Sequence, residues 1–145
     1  MTYHIQDLKP GMSASIAKTV TEADIVLFAG ISTDVNPAHL DEEYSKTTMF
    51  GGRIAHGMLS AGFISAVLAN HLPGPGTIYL SQTLKFKAPV RPGDTVKATV
   101  TVKEVFVEKN RVTLETVCTV AGKVVIEGEA LMMPPVKAAP VSGTA

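Results

Sequence analysis

The chain has 145 residues, 46% apolar and 18% charged, which suits one compact domain with a real core. Thirteen basic residues balance thirteen acidic ones, so the formal net charge is zero and nothing marks a nucleic-acid partner. The single cysteine, Cys118, excludes an intrachain disulfide and a paired-cysteine metal site, which fits a reducing compartment.

The opening stretch MTYHIQDLKPGMSAS lacks the charged start and apolar run of a secretory signal. It reads as a lead-in with a turn at Lys9–Gly11 and one short strand. A helix is predicted from Thr21, which can cap it with Asp24 as capping-box partner, to about Gly30–Thr33. Pro37 favours an extended Asn36 and begins a new turn, and HLDEEYS reads as one short helix. After the glycine-rich MFGGRIAHG, a helix over 57–72 is apolar nearly all round, so it should be buried on every side. Asn70, His71 and the PGPG that follows make it too short to span a bilayer. The expectation is a cytoplasmic protein without a membrane partner.

The rest reads as strands. Residues 77–87 are β-rich and end in a turn. Val96, Ala98, Val100 and Val102 alternate with polar residues, as do Val112, Leu114, Thr116, Cys118 and Val120. In the last strand Val124, Ile126, Gly128, Ala130 and Met132 should share a face. Short turns imply antiparallel pairing. One long helix followed by such strands packs economically as an α+β hot-dog domain, the sheet wrapped round the helix. That domain is expected over residues 1–134, with a flexible tail over 135–145. A small sheet leaves an open edge, so a homodimer is expected.

The chemistry concentrates in STDVNPAHLDEEYS. Asp34 and His39 flank a stiff proline turn. An imidazole and a carboxyl beside one water could add that water to a C=C bond. Asn36 could orient one of them. The alternative is an Asx-turn with an ordinary helix-start histidine. A zinc site would need more ligands, with His56 the obvious extra. Gly57 begins the long helix, where unpaired N–H groups form a positive pole and a ligand can approach the backbone closely. Such an N–H would steady a thioester oxygen, or Gly57 merely permits a tight entry. His56 reads as a partly exposed neighbour of the helix start. Ser65, two turns on, could bond to Asp34 or His39, or back to its own helix.

AGISTDVNPAHLDEEYS resembles the hydratase-2 motif of the MaoC-like (R)-specific enoyl-CoA hydratases, through Ile31, Ser32, Thr33, Asp34, Asn36, Pro37, His39 and Ser45. RIAHGMLSAGFIS and LPGPGTIYLSQTLKFKAPVRPGD are similar to the family's short bacterial members. The likeness runs from about Thr21 to Met133, with Thr33 standing where many members have glycine. It implies a hot-dog homodimer that hydrates trans-2-enoyl-CoA to (R)-3-hydroxyacyl-CoA, linking fatty-acid oxidation to polyhydroxyalkanoate synthesis. It implies Asp34 and His39 as the catalytic pair, Gly57 as amide donor to the thioester, and Asn36 and Ser65 in support. No metal or redox cofactor is implied, because coenzyme A is part of the substrate. An acyl-CoA substrate would need a pocket whose length Leu68 or Met132 could set, and cations for its phosphates, for which Lys85, Lys87 and Arg91 are candidates unless they are solvated strand residues. The competing readings are a 3-hydroxyacyl-(acyl carrier protein) dehydratase, a thioesterase, and a non-catalytic acyl-thioester binding module.

Overall fold

The computed structural model describes residues 1–137. Gly11, at φ 93, closes the first turn and β1 (Ser13–Thr19) follows. Thr21 caps α1 (Glu22–Ser32) reciprocally. The Asp24 N–H donates to its hydroxyl at 3.1 Å and its own N–H donates to the Asp24 carboxylate at 2.9 Å. The helix ends at Thr33, whose left-handed φ of 64 is costly for a β-branched residue.

The single short helix expected over 39–45 is instead two single turns, α2 (Pro37–Leu40) and α3 (Glu42–Ser45). Asp41 separates them. Its backbone is extended and its carboxylate accepts the Tyr44 N–H at 3.2 Å, so it caps the second turn rather than continuing the first.

The long helix, α4 (Gly57–Asn70), buries Leu59, Ser60, Ala61, Ile64, Val67 and Leu68. It is not buried all round as expected. Gly62 and Ala69 are open and Met58 is 55% exposed, because a single sheet covers only one side.

The β-rich stretch 77–87 divides into β2 (Ile78–Gln82) and β3 (Lys85–Phe86), both pairing with β6 (Lys123–Met133). Between them the chain crosses Gly128 so closely that a Cβ there would lie 1.8 Å from the Thr83 carbonyl oxygen. With β4 (Thr95–Phe106) and β5 (Arg111–Val120), the antiparallel order is β1-β4-β5-β6-β2. Alternation puts Val96, Ala98, Val100, Val112, Leu114 and Cys118 wholly inside, against α4. In β6 the expected face holds for Ile126, Ala130 and Met132. A register shift opposite Cys118–Thr119 carries Val125 inward as well, leaving Val124 only half-buried.

This is the α+β hot-dog architecture. Among the described residues no helix is long and apolar enough to cross a membrane. β6 ends at Met133, and the Asn110 amide donates to the Pro134 carbonyl at 2.8 Å. Most of the expected tail, from residue 138 on, lies outside the described residues.

Candidate active site

The α1–α2 connection builds the site. The Asp34 N–H donates to the Ser32 hydroxyl at 3.1 Å, and the Asn36 N–H to Asp34 Oδ1 at 3.3 Å. Asn36 then caps α2, accepting the Ala38 N–H at 3.0 Å. Turn and site readings both apply to Asp34: one oxygen closes the turn and the other, Oδ2, lies 4.0 Å from His39 Nε2. Asn36 holds the turn.

His39 Nδ1 lies 2.7 Å from the Ile54 carbonyl. A carbonyl only accepts, so Nδ1 carries the proton and neutral His39 keeps its lone pair on Nε2. Nε2 and Oδ2 are thus two acceptors, too far apart to bond but spaced so that one water can donate to both. Asp34 is half-exposed and His39 only 12% exposed, so the imidazole is sheltered while the carboxylate meets solvent.

Gly57 opens α4, and the preceding residue makes no side-chain capping bond. The Leu59 N–H donates to the His56 carbonyl at 3.1 Å, and Gly57, ahead of that bond, lines a cavity of about 520 Å³ with Asp34, His56, Ser60, Phe86 and Val90 among others. Gly57 has a second reason to be glycine: a Cβ would lie 2.6 Å from the Phe86 ring.

Ser65 is not brought to the pair. Eight residues turn the helix about 80° past two full revolutions, and Ser65 lines a second cavity of about 410 Å³ with Met58, Gly62, Tyr79 and Gln82. Leu68 and Met132 are core residues and line neither cavity.

Of the three cations, Lys87 lines the first cavity and pairs with Glu127 at 3.4 Å. Lys85 is exposed and lines neither cavity. Arg91 is a structural clamp rather than a phosphate anchor. Its guanidinium donates to the carbonyls of Phe50 at 2.5 Å, Gly52 at 3.2 Å and Arg53 at 3.5 Å.

His56 is a correction. It is 2% exposed, not partly exposed. Main-chain bonds from Ile54 to Ala38 (3.2 Å) and from Ala55 to Val90 (2.7 Å) draw this segment inward and carry the ring with it. His56 Nε2 meets the Asp34 carbonyl at 2.8 Å, and its ring stacks on His39 with centroids 3.9 Å apart. Asp34, His39 and His56 each offer a ligand atom within 4.8 Å of the others. Tetrahedral bonds of about 2.1 Å would set ligand atoms about 3.4 Å apart, so this cluster would have to contract to grip a metal.

Arg53 was not singled out from the sequence. It donates to the His39 carbonyl at 2.7 Å and forks onto Glu22 at 2.7 and 2.8 Å, tying α2 to α1. That hydrogen bond pulls the Glu22 carboxyl below its ordinary range and raises the guanidinium. A lone cation between two glycines and an apolar run was the available signal.

The fold and site together define a hot-dog domain with a carboxylate–imidazole pair, Asp34 and His39, whose carboxylate residue lines an apolar cavity. Residues 6–129 match the family described as MaoC like domain, and the chain belongs to that family. It is 65% identical over 135 residues to an (R)-specific enoyl-CoA hydratase of Rhodospirillum rubrum, covering 93% of this chain and 94% of that one. The unliganded R-hydratase PhaJ1 of Pseudomonas aeruginosa superposes with a TM-score of 0.87 at 45% identity, over 99% of this chain and 96% of that chain. An (R)-hydratase from A. caviae involved in PHA biosynthesis gives a TM-score of 0.87 at 41% identity, over 90% and 99% of the two chains.

Proposed function

We propose that the chain is an (R)-specific enoyl-CoA hydratase, a hydro-lyase that adds water to trans-2-enoyl-CoA to give (R)-3-hydroxyacyl-CoA. The observation that carries the mechanism is the 4.0 Å gap between Asp34 Oδ2 and His39 Nε2, beside the uncapped start of α4.

A water held between the two acceptors gives a proton to His39 Nε2 as its oxygen bonds to C3. The π electrons shift through C2 to the thioester oxygen, where the Gly57 N–H steadies the charge. One such donor contributes about 3 kcal/mol in other enzymes. The pair then returns a proton to C2 on the same face, so one water is added and the site is regenerated. The two groups act as a coupled unit.

This chemistry needs no metal or redox cofactor, and coenzyme A arrives as part of the substrate. Lys87 would meet its phosphates, a reading supported by its position in the cavity lining. The protein is assigned to the cytoplasm, working as a homodimer. Support for the dimer comes from the edge strand β2, where Ile78 is 50% and Leu80 41% exposed, and from the open face of α4. Sedimentation at micromolar concentration checks it.

The test is crotonyl-CoA hydration followed by loss of enoyl-thioester absorbance and by product chirality. Asp34→Asn and His39→Gln should each lower kcat by about a thousandfold while far-UV circular dichroism is unchanged. Hydration surviving both substitutions would sink the mechanism. Turnover only with acyl-carrier substrates would move the reading to the dehydratase, and binding without turnover to a binding module.

A further inference from the structure

Two side-chain atoms among the described residues are buried without a hydrogen-bond partner: His56 Nδ1 and Ser60 Oγ. They are chemically complementary. His56 Nε2 is tied to the Asp34 carbonyl, which can only accept, so Nε2 carries a proton. In the neutral ring the lone pair then falls on Nδ1. Ser60 offers an O–H. It lies in the first turn of α4, four residues after the N-cap His56, and both line the first cavity. Ser60 is wholly buried and His56 is 2% exposed.

The position matters because of what His56 touches. It holds the carbonyl of Asp34 and stacks on His39 at 3.9 Å, with the Phe28 ring at 4.8 Å. A neutral His56 leaves His39 free to accept a proton, whereas a cation stacked on it would oppose that.

We propose that Ser60 and His56 form a positioning pair for the reaction: the two atoms do not bond in this structure, and a turn of the Ser60 hydroxyl brings its proton to His56 Nδ1, fixing the ring in the form that holds Asp34 and supports His39. Its kinetic part rests on the hydratase reading. Neither residue supplies or removes the reacting proton.

The test begins with unaltered protein. Long-range 15N–1H correlation spectra report the tautomer of each of the four histidines, and His4→Gln, His39→Gln and His71→Gln assign His56 by elimination. The expected result is a neutral His56 protonated on Nε2, with an Nδ1 signal shifted by an accepted hydrogen bond. Ser60→Ala should abolish that shift and lower kcat about tenfold, with KM within about twofold. Ser60→Thr, which keeps the hydroxyl, should restore the shift and most of the rate. A proton on Nδ1 overturns the pair, as does an Nδ1 signal or a kcat that ignores Ser60→Ala. A wild type that hydrates no enoyl-CoA removes the reaction and the positioning role with it, while the tautomer still decides whether the Ser60–His56 contact exists.

Discussion

The sheet and the segment from Ser32 to His56 are held in different ways. β4, β5 and β6 are fixed by apolar side chains packed against α4, many wholly inside. The site segment has little core of its own. Side chains bind it to main-chain carbonyls: Arg91 to Phe50, Gly52 and Arg53, Arg53 to His39, His39 to Ile54, and Ser45 to Pro37 and Ala38. Burial is non-directional and tolerates repacking. Hydrogen bonds fix orientation and depend on single residues. The fold and the site geometry should therefore fail separately.

The largest break is expected on the sheet side. Gly128→Ala forces a Cβ against the Thr83 carbonyl at a point where β2 and β3 cannot move without leaving β6. A loss of about 3 kcal/mol or more is predicted, read as a lowered urea midpoint. An unchanged midpoint would mean that the crossover is soft.

Arg91→Met should do the opposite. It removes three carbonyl contacts from the site segment and none from the core. Stability should fall by about 2 kcal/mol, while hydration falls by more than about tenfold. Equal losses in activity and folded fraction would erase the distinction between the two regions.

Thr33→Gly sharpens the comparison in the stabilising direction. Releasing a β-branched residue from φ 64 should outweigh the added freedom of the unfolded chain. A gain of about 1 kcal/mol or less is predicted, seen as a raised melting temperature.

The smallest effect is electrostatic. The Lys18 ammonium and the Thr21 N–H hold the Asp24 carboxyl at about 2, below its ordinary 3.8. A depressed carboxyl contributes stability that is complete above 3.8 and is lost as pH falls towards 2. Asp24→Asn should flatten that part of the acid-unfolding curve, modestly because the pair is solvent-screened. An identical acid limb in the variant would refute the assignment.

The strands were legible because period two is written residue by residue in 96–102 and 112–118, and the cap at Thr21 because Asp24 supplies its reciprocal partner. Asp34 lies 4.0 Å from His39 and lines the first cavity with Gly57, residues that the motif and the helix start had singled out. The bulge at Val125 was hidden because it depends on the partner strand, and Asp41 because its cap competes with an equally plausible helix. Arg91 looked like a surface cation because sequence spacing does not show which distant carbonyls a guanidinium will reach. His56 was misread for a similar reason: its burial is decided by main-chain bonds to Ala38 and Val90, far off in sequence.

The clamps on the site segment also differ in kind from the groups they surround. A guanidinium is cationic at any pH a protein ordinarily meets, and that of Arg53 is held so more firmly still beside Glu22. Imidazole and carboxylate lie within the frame these guanidiniums make. Scaffold and proposed reactive centre are thus electrically segregated: in the proposed mechanism the mobile protons of a turnover pass through groups that gain and lose charge, while the charge that keeps their backbone in place never changes.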